Sequence, residues 1–223
     1  MDPKEIVSEF AKNIDKIKYT DSPQSWKVSN KITVGWEKVL PEPPKNSSPT
    51  TLKELNYLSD LTNRPTISQK ELVKLVDDEP LDLFNRTLAK NSLYFNRSNF
   101  DEVWNVALPV IKNLKWLHNR PRPDQLAPFF GIRVNVIESE TYHTPAYPSG
   151  HTAYAALGAH LLSSMYPECS DSFFYSVKLA GYARCVQGVH FPSDNAAGMV
   201  IAGVIWEDIK YDLFPELFSQ HTG

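Results

Sequence analysis

The chain has 223 residues, of which 42% are hydrophobic and 22% are charged. This length and composition are those of a globular protein that can bury one sizeable core or two small ones. The formal net charge of −3 provides no overall basic field, so we expect no nucleic-acid partner.

The first fifty residues are expected to form one helix followed by an irregular strap. Apolar residues recur at helical spacing over residues 3–18, at Ile6, Val7, Phe10, Ile14 and Ile17. Residues 20–50 contain five prolines and lose that spacing, which indicates a loop. We therefore divide the chain into an N-terminal helix and strap (1–50) and a helical domain (51–223), which together form one continuous domain.

From residue 51 onward the apolar spacing is mostly helical. Capping boxes, in which Ser, Thr or Asn is followed three positions later by Glu, predict three helix starts. They are Thr51–Glu54, Ser68–Glu71 and Asn99–Glu102. Further helices are expected over about 81–90, from Ser149 to before Pro167, over 172–187, and from Pro192 to about Ile209. No strand pattern stands out, so the predicted fold class is all-α.

The first candidate segment joins a lysine and an arginine at a helix end. Lys115 is expected on the last turn of its helix, and Arg122, followed by Pro123, comes just past that turn. Arginine binds two phosphate oxygens at once and lysine adds a compact charge, so the pair could hold one anion. Taken alone, a basic helix end more often indicates a favourable interaction with the helix dipole.

The second segment is Pro148-Ser149-Gly150-His151, ahead of a long apolar helix. A helix N-terminus presents free backbone N–H groups and a positive dipole end, which together suit a phosphate. Ser149 would cap the helix or donate to a phosphate oxygen, and Gly150 would let the backbone approach closely. His151 would then pass a proton. The alternative is an ordinary helix start with an incidental histidine.

The third segment runs from Arg184 to Asp194 and contains His190 in a tight connection between two helices. Asp194 is expected in the first turn of the second helix, from which it can reach the ring of His190. A carboxylate on one ring nitrogen fixes the tautomer and makes the other nitrogen a better nucleophile. The alternative is a helix-capping aspartate beside a loop histidine.

Together the segments supply cations, histidines, a carboxylate and a helix N-terminus, which are the parts that phosphoryl transfer needs. Their pattern, K-x6-R-P, then P-S-G-H, then R-x5-H-x3-D, resembles the signature of the type 2 phosphatidic acid phosphatase and vanadium haloperoxidase superfamily. The resemblance covers Lys115 to Asp194, and Ala183 stands where that family usually has serine. It implies a helical bundle core of the acid phosphatase and vanadium haloperoxidase type.

The resemblance also implies metal-independent hydrolysis of phosphomonoesters through a phosphohistidine intermediate. His190 would attack phosphorus, Asp194 would orient it, and His151 would protonate the leaving oxygen and then activate water. The phosphoryl oxygens would be held by Lys115, Arg122, Ser149, Gly150 and Arg184. No metal or other cofactor is expected for this reaction, and the substrate would be a small-molecule or lipid phosphomonoester.

Two alternatives stay open. In haloperoxidases of this superfamily the same anion site holds vanadate, and His190 would then ligate that cofactor. The tripeptide Phe191-Pro192-Ser193 resembles the phosphatases and favours hydrolysis, whereas the run from Pro145 to His151 occurs in similar form in haloperoxidases. The third interpretation is a non-catalytic module that binds phosphate or phospholipid. The complete set of two histidines and an aspartate argues against it, because binding needs no aligned nucleophile.

Membrane insertion and export are not predicted. The N-terminus carries a charge every few residues in place of the apolar run of a secretory signal. No stretch approaches the roughly 18 apolar residues that a membrane span requires. We therefore expect a soluble, cytoplasmic protein without a transmembrane segment, in which Cys169 and Cys185 are free thiols. A homo-oligomer is compatible with the sequence.

Overall fold

The computed structural model describes residues 3–22 and 24–219. Residues 1–2, 23 and 220–223 lie outside the described residues, as do the side chains of Pro3, Lys4 and Ile6. Within the described residues the regular secondary structure is helical throughout and no strand is present, which confirms the all-α prediction. None of the described helices combines the length and apolar content that crossing a membrane would require.

Helices make up most of the chain, and two long irregular stretches interrupt them, between residues 16 and 48 and over 131–149. The α-helices are α1 (Pro3–Asp15), α2 (Pro49–Asn63), α3 (Ile67–Asp78), α4 (Asn85–Lys90), α5 (Arg97–His118), α6 (Pro123–Leu126), α7 (Gly150–Met165), α8 (Ser170–Val186), α9 (Pro192–Leu213) and α10 (Pro215–Phe218). Short 3-10 helices lie at Trp36–Lys38, Pro80–Phe84, Ala127–Phe130 and Pro167–Cys169.

Helices α2, α3 and α5 each begin two or three residues before the predicted start. Ser48 caps α2, because its hydroxyl accepts a hydrogen bond from the Thr51 N–H at 3.2 Å. Thr66 caps α3 in a capping box with Gln69, and Asn96 caps α5. The predicted boxes at Thr51–Glu54, Ser68–Glu71 and Asn99–Glu102 were therefore wrong. In each case an earlier Ser, Thr or Asn takes the N-cap position, and this leaves the carboxylate of Glu54 free for another partner.

Helix α7 lies at the centre of the core and packs against α5, α8 and α9. The contact with α9 is close because Gly198 has no side chain. A Cβ atom at residue 198 would lie 2.6 Å from the Ser149 carbonyl oxygen, which no real side chain tolerates. The glycine therefore lets α9 approach the start of α7, where the second candidate segment lies.

The predicted N-terminal helix is present but shorter, since α1 ends at Asp15. Its apolar face is buried mainly at the C-terminal end, where Ile14 is 2% exposed. Val7 and Phe10 are 68% and 51% exposed, although the Phe10 ring makes an edge contact with the ring of Phe130 at 6.4 Å between centroids. Helix α1 therefore rests on the surface of the bundle and, among its described side chains, contributes Ile14 to the core.

The strap that follows α1 is tied to the helices by polar contacts. The Asp208 carboxylate of α9 accepts hydrogen bonds from the N–H groups of Thr33 and Val34, at 2.6 and 3.1 Å. The backbone of Trp26 exchanges two hydrogen bonds of 2.8 Å with the Asn113 side chain of α5. The strap therefore has no regular sheet partner and is fixed by side chains, as expected for a proline-rich segment. The division of the chain at residue 50 stays a prediction.

Candidate active site

The three candidate segments meet at one cavity of about 420 Å³. Its wall includes predicted site residues from each segment, namely Lys115, Arg122, Gly150, His151, Arg184 and His190. The other two predicted residues, Ser149 and Asp194, are fully buried directly behind that wall. Residues that are 79 positions apart in the sequence thus surround a single space, because the end of α5, the start of α7 and the connection between α8 and α9 converge there.

His190 lies in the connection between α8 and α9 and is 2% exposed. Its Nδ1 is 3.2 Å from Asp194 Oδ2, and that oxygen also accepts the Phe191 N–H at 2.8 Å. A carboxylate at Nδ1 favours the tautomer with its proton on that nitrogen. His190 lines the cavity, and the lone pair of Nε2 accepts a hydrogen bond from Arg122 Nη1 at 3.0 Å. The unprotonated nitrogen is therefore held at Arg122, and a bound anion would have to replace that contact before Nε2 could attack.

The second oxygen of Asp194 is held by a residue that the sequence analysis did not identify. Arg120 is buried and donates to Asp194 Oδ1 at 2.6 Å and to the Ser193 hydroxyl at 2.7 Å. Its guanidinium also lies over the Phe191 ring, 3.9 Å from the centroid. Behind it, Glu54 of α2 lies 3.3 Å from Arg120 Nη2 and accepts the Ser193 N–H at 2.7 Å. Both oxygens of Asp194 are thus fixed, one of them by a buried chain of ion pairs.

The sequence contains partial indications of the roles of Arg120 and Glu54. Arg120 falls inside the first candidate segment, two residues before Arg122, so an arginine pair was visible but only one member was interpreted. Glu54 was assigned to a capping box, and the structure corrects that assignment, since its carboxylate binds Arg120 and Ser193 instead. The contact spans 139 positions between Glu54 and Ser193, which no local pattern indicates.

The wall contains Lys112 and the three cations of the candidate segments, Lys115, Arg122 and Arg184. Main-chain carbonyl groups hold two of these three cations. The Lys115 ammonium donates to the Pro145 carbonyl at 2.8 Å. Arg122 donates from Nε to the Thr144 carbonyl at 2.7 Å and from Nη1 to the Val189 carbonyl at 2.6 Å. These carbonyl groups fix the direction of the side chains and, being uncharged, do not form ion pairs with them.

Arg184 differs from the other two cations because a carboxylate binds it. Its Nη1 donates to Asp77 Oδ1 at 2.6 Å, while its Nε is buried without a hydrogen-bond partner among the described residues. Asp77 lies near the end of α3, and the same oxygen accepts the Ser139 hydroxyl at 2.7 Å. It also lies 3.9 Å from His151 Nε2. The sequence analysis missed Asp77, since α3 carries no motif.

The start of α7 has a capping serine and an open glycine. The Ser149 hydroxyl accepts the Thr152 N–H and lies 3.0 Å from the Thr152 hydroxyl, so it serves the helix as an N-cap. Gly150 is the first helical residue, and a Cβ atom there would lie 3.7 Å from Lys115 Cε, an ordinary contact distance. Packing within the protein therefore does not demand this glycine. Its missing side chain leaves the first turn of α7 open towards the cavity.

Burial and mutual repulsion shift the pKa values of the charged groups around the cavity. Burial, followed by the charge of Arg122, holds the pKa of His190 well below its ordinary value and does the same for Lys115. Burial and the Arg184 charge lower the pKa of His151 to about 3 and that of Arg122 to about 10. Each shift disfavours the charged form of a basic group, first through burial and then through repulsion by the neighbouring cations. An anion would relieve this repulsion.

The opposite wall of the cavity is apolar. Trp104, Leu108 and Ile111 of α5 follow each other at steps of four and three residues, so they share one helix face with Lys115. Tyr154 of α7 lies against Trp104, with 4.8 Å between the ring centroids. The cavity therefore combines a cationic end, suited to an anion, with an apolar wall for the remainder of a ligand.

We expect the free energy of unfolding to fall when the pH is lowered from about 7 towards 4. Burial lowers the pKa of four histidines in the folded protein, namely His118, His151, His160 and His190. Below a pH of about 6.5 the unfolded chain therefore binds protons that the folded protein does not. Each such histidine lowers the free energy of unfolding by roughly 1.4 kcal/mol per pH unit. The stability that the neutral histidines contribute is complete above a pH of about 6.5 and is lost as the pH falls.

Urea unfolding between pH 4 and 7 measures this dependence. Replacing His190 with glutamine should reduce the slope, because one titrating group is removed. A free energy of unfolding that is constant or rises on acidification would contradict the burial of neutral imidazoles.

Comparisons with known proteins agree with this geometry. Residues 103–211, which include every predicted site residue, match the model of the PAP2 superfamily. A non-specific acid phosphatase of Salmonella typhi is 30% identical over 117 residues, which cover 49% of this chain and 46% of that protein. The chain therefore spans less than half the length of this relative. Just under half of the chain, residues 103–211, therefore resembles the PAP2 superfamily in sequence, and its helical fold and the convergence of the three segments agree with that resemblance.

Proposed function

We propose that this protein is a metal-independent phosphatase that hydrolyses phosphomonoesters through a phosphohistidine on His190. The observation that carries the proposal is the geometry of His190: a carboxylate on Nδ1, and a ring that lines a cavity with Lys115, Arg122 and Arg184 in its wall. The similarity to a non-specific acid phosphatase supports the same class of reaction. A module that only binds phosphate would not need an oriented nucleophile.

In the first half of the proposed reaction His190 Nε2 attacks phosphorus. A phosphorus–nitrogen bond forms, the bond to the leaving oxygen breaks, and His151 gives that oxygen a proton, so an alcohol departs. Lys115, Arg122 and Arg184 neutralise the charge on the three remaining phosphoryl oxygens, together with the N–H groups at the start of α7. Asp194 stabilises the positive charge that develops on the His190 ring.

In the second half neutral His151 takes a proton from water, and the water oxygen attacks phosphorus. The phosphorus–nitrogen bond breaks, inorganic phosphate leaves, and both histidines return to their starting state. Burial lowers the pKa of His151 to about 3, so the ring is neutral and can accept a proton. The negative charge of a bound phosphoryl group raises that pKa, so His151 takes up from solvent the proton that it donates in the first half.

Hydrolysis of p-nitrophenyl phosphate from pH 4 to 8, with and without EDTA and orthovanadate, tests the proposal. We expect turnover that EDTA leaves unchanged, because no step uses a metal. Orthovanadate should inhibit, because its oxygens would occupy the cationic end and its vanadium would face His190 Nε2. Loss of activity in EDTA would contradict the mechanism.

The same experiment addresses the two other functions. If the folded protein hydrolyses nothing, vanadate loading followed by bromide and peroxide tests for a haloperoxidase, whose vanadate His190 would ligate. Binding of phosphate without either activity would indicate a non-catalytic module.

A further inference from the structure

A second carboxylate lies at the cavity, beside the proposed proton donor. Asp77 comes from α3, outside the segment that matches the family, and its Oδ1 is 3.9 Å from His151 Nε2. Hydrogen bonds from Arg184 Nη1 at 2.6 Å and the Ser139 hydroxyl at 2.7 Å hold this oxygen in place. The carboxylate is therefore fixed by partners on two other segments and does not depend on His151 for its position.

The charges that face His151 are otherwise positive. They come from Arg184 on α8 and Lys115 on α5, while the His190 ring in the connection before α9 is kept neutral by its lowered pKa. Within the described residues, Asp77 is the acidic group that forms an ion pair with His151. A ring surrounded in this way cannot easily gain a proton, yet the proposed reaction requires His151 to give one to the leaving oxygen. Asp77 supplies the charge that favours protonation of this ring.

We propose that Asp77 is a positioning residue for His151, and that together with the charge of a bound phosphoryl group it favours the protonated ring that donates to the leaving oxygen. The proposal rests on the phosphatase function given above. The site then contains two histidine–carboxylate pairs with different roles. Asp194 is fully buried and orients the nucleophile, whereas Asp77 is partly exposed and serves the acid. The aspartate of the second pair lies on a helix that the family segment does not include.

Asp77 also binds Arg184, so its two effects must be separated. If Asp77 acted only by holding Arg184, its loss would weaken binding of every phosphoryl group to the same extent. If it acts through His151, its loss should matter most for a leaving group that cannot depart without a proton. An alkoxide is such a group, whereas nitrophenolate is stable enough to leave unprotonated. Comparison of the two substrates therefore identifies which role is the main one.

The test compares kcat/KM of the wild-type protein and Asp77→Asn for β-glycerophosphate and p-nitrophenyl phosphate. This ratio of constants covers steps up to cleavage of the ester, so dephosphorylation does not obscure it. We expect a loss of about 10-fold or more for the alkyl ester and about 3-fold or less for the nitrophenyl ester. The basic limb of the pH profile for the alkyl ester should also move to lower pH.

The matched control is Glu71→Gln. Glu71 is an exposed carboxylate on the same helix as Asp77 and is not part of the cavity wall. This variant should leave both substrates unchanged. Ser139→Ala keeps the Asp77 charge and removes one of its hydrogen bonds. We therefore expect a smaller loss of kcat/KM that is again larger for the alkyl ester than for the nitrophenyl ester. It serves as the test if Asp77→Asn does not fold.

Equal losses for both substrates, together with weaker inhibition by orthovanadate, would assign Asp77 to Arg184 alone and overturn the proposal. Unchanged kinetics with both substrates would overturn it as well. Absence of hydrolysis by the wild-type protein is a separate result, which would reject the phosphatase function itself.

Discussion

Replacing His190 with alanine should lower kcat/KM for p-nitrophenyl phosphate by about 10⁴-fold or more, because the proposed nucleophile is removed. The three cations remain, so we expect the variant to bind orthovanadate-sized anions with an affinity that falls much less than its turnover. Brief reaction with ³²P-labelled substrate, followed by denaturation in alkali, should leave label on the wild-type protein and none on the variant. The label should be lost in acid, as expected for a phosphohistidine.

The control for this experiment is His143→Ala, which removes an exposed histidine from the loop before α7. It should behave like the wild-type protein. Substantial turnover by His190→Ala would show that another group attacks phosphorus, or that water attacks directly, and would reject the covalent mechanism.

The second large effect concerns Arg120, whose replacement by methionine should destabilise the protein by about 3–5 kcal/mol. The arginine is buried between two carboxylates, with 2.6 Å to Asp194 Oδ1 and 3.3 Å to Glu54 Oε2. Methionine fills much of the same space but leaves both carboxylates buried without their cation. Urea unfolding at pH 7 measures the loss. Hydrolysis should fall too, because Asp194 would no longer be held against His190.

Arg97→Met provides the matched control, since Arg97 also binds two carboxylates, those of Glu79 and Asp82. Its side chain is 42% exposed, so solvent screens these pairs and the loss should be below about 1 kcal/mol. Similar losses for both variants would mean that burial does not determine how much the ion pairs of Arg120 contribute to the free energy of unfolding. An Arg120→Met protein as stable as the wild type would contradict an ionised Asp194.

The residues that the sequence could identify are those within short, spaced motifs. Lys115, Arg122, His151, Arg184 and His190 were predicted because each occurs at a fixed distance from a turn or helix end. Because helix geometry is regular, this spacing in the sequence determines where the side chains lie relative to each other. The order of the helices brings these residues to one cavity, and the structure contains this cavity. Their catalytic roles remain predictions until the variants are measured.

The supporting residues could not be predicted in the same way. Asp77 reaches Arg184 across 107 positions, and Glu54 reaches Ser193 across 139. Such contacts depend on how α2 and α3 pack against the bundle, which no local spacing encodes. Helix boundaries failed for a related reason. Thr51 lies three residues after Ser48 and is itself followed three residues later by Glu54, so it matches a capping box better than Ser48 does. Only the folded backbone shows that Ser48 takes the N-cap position.

The way in which Lys115 and Arg122 are anchored has a consequence for substrate range. Their partners are the carbonyl groups of Pro145, Thr144 and Val189, which aim the two cations without neutralising them. Such an anion site recognises charge and tetrahedral geometry and does not discriminate between the alcohol groups attached to the phosphate. Under the proposed function that task falls to the apolar face of α5, so different residues would determine reactivity and selectivity. We therefore expect mutations in the apolar wall to change which esters are hydrolysed without changing the hydrolytic step.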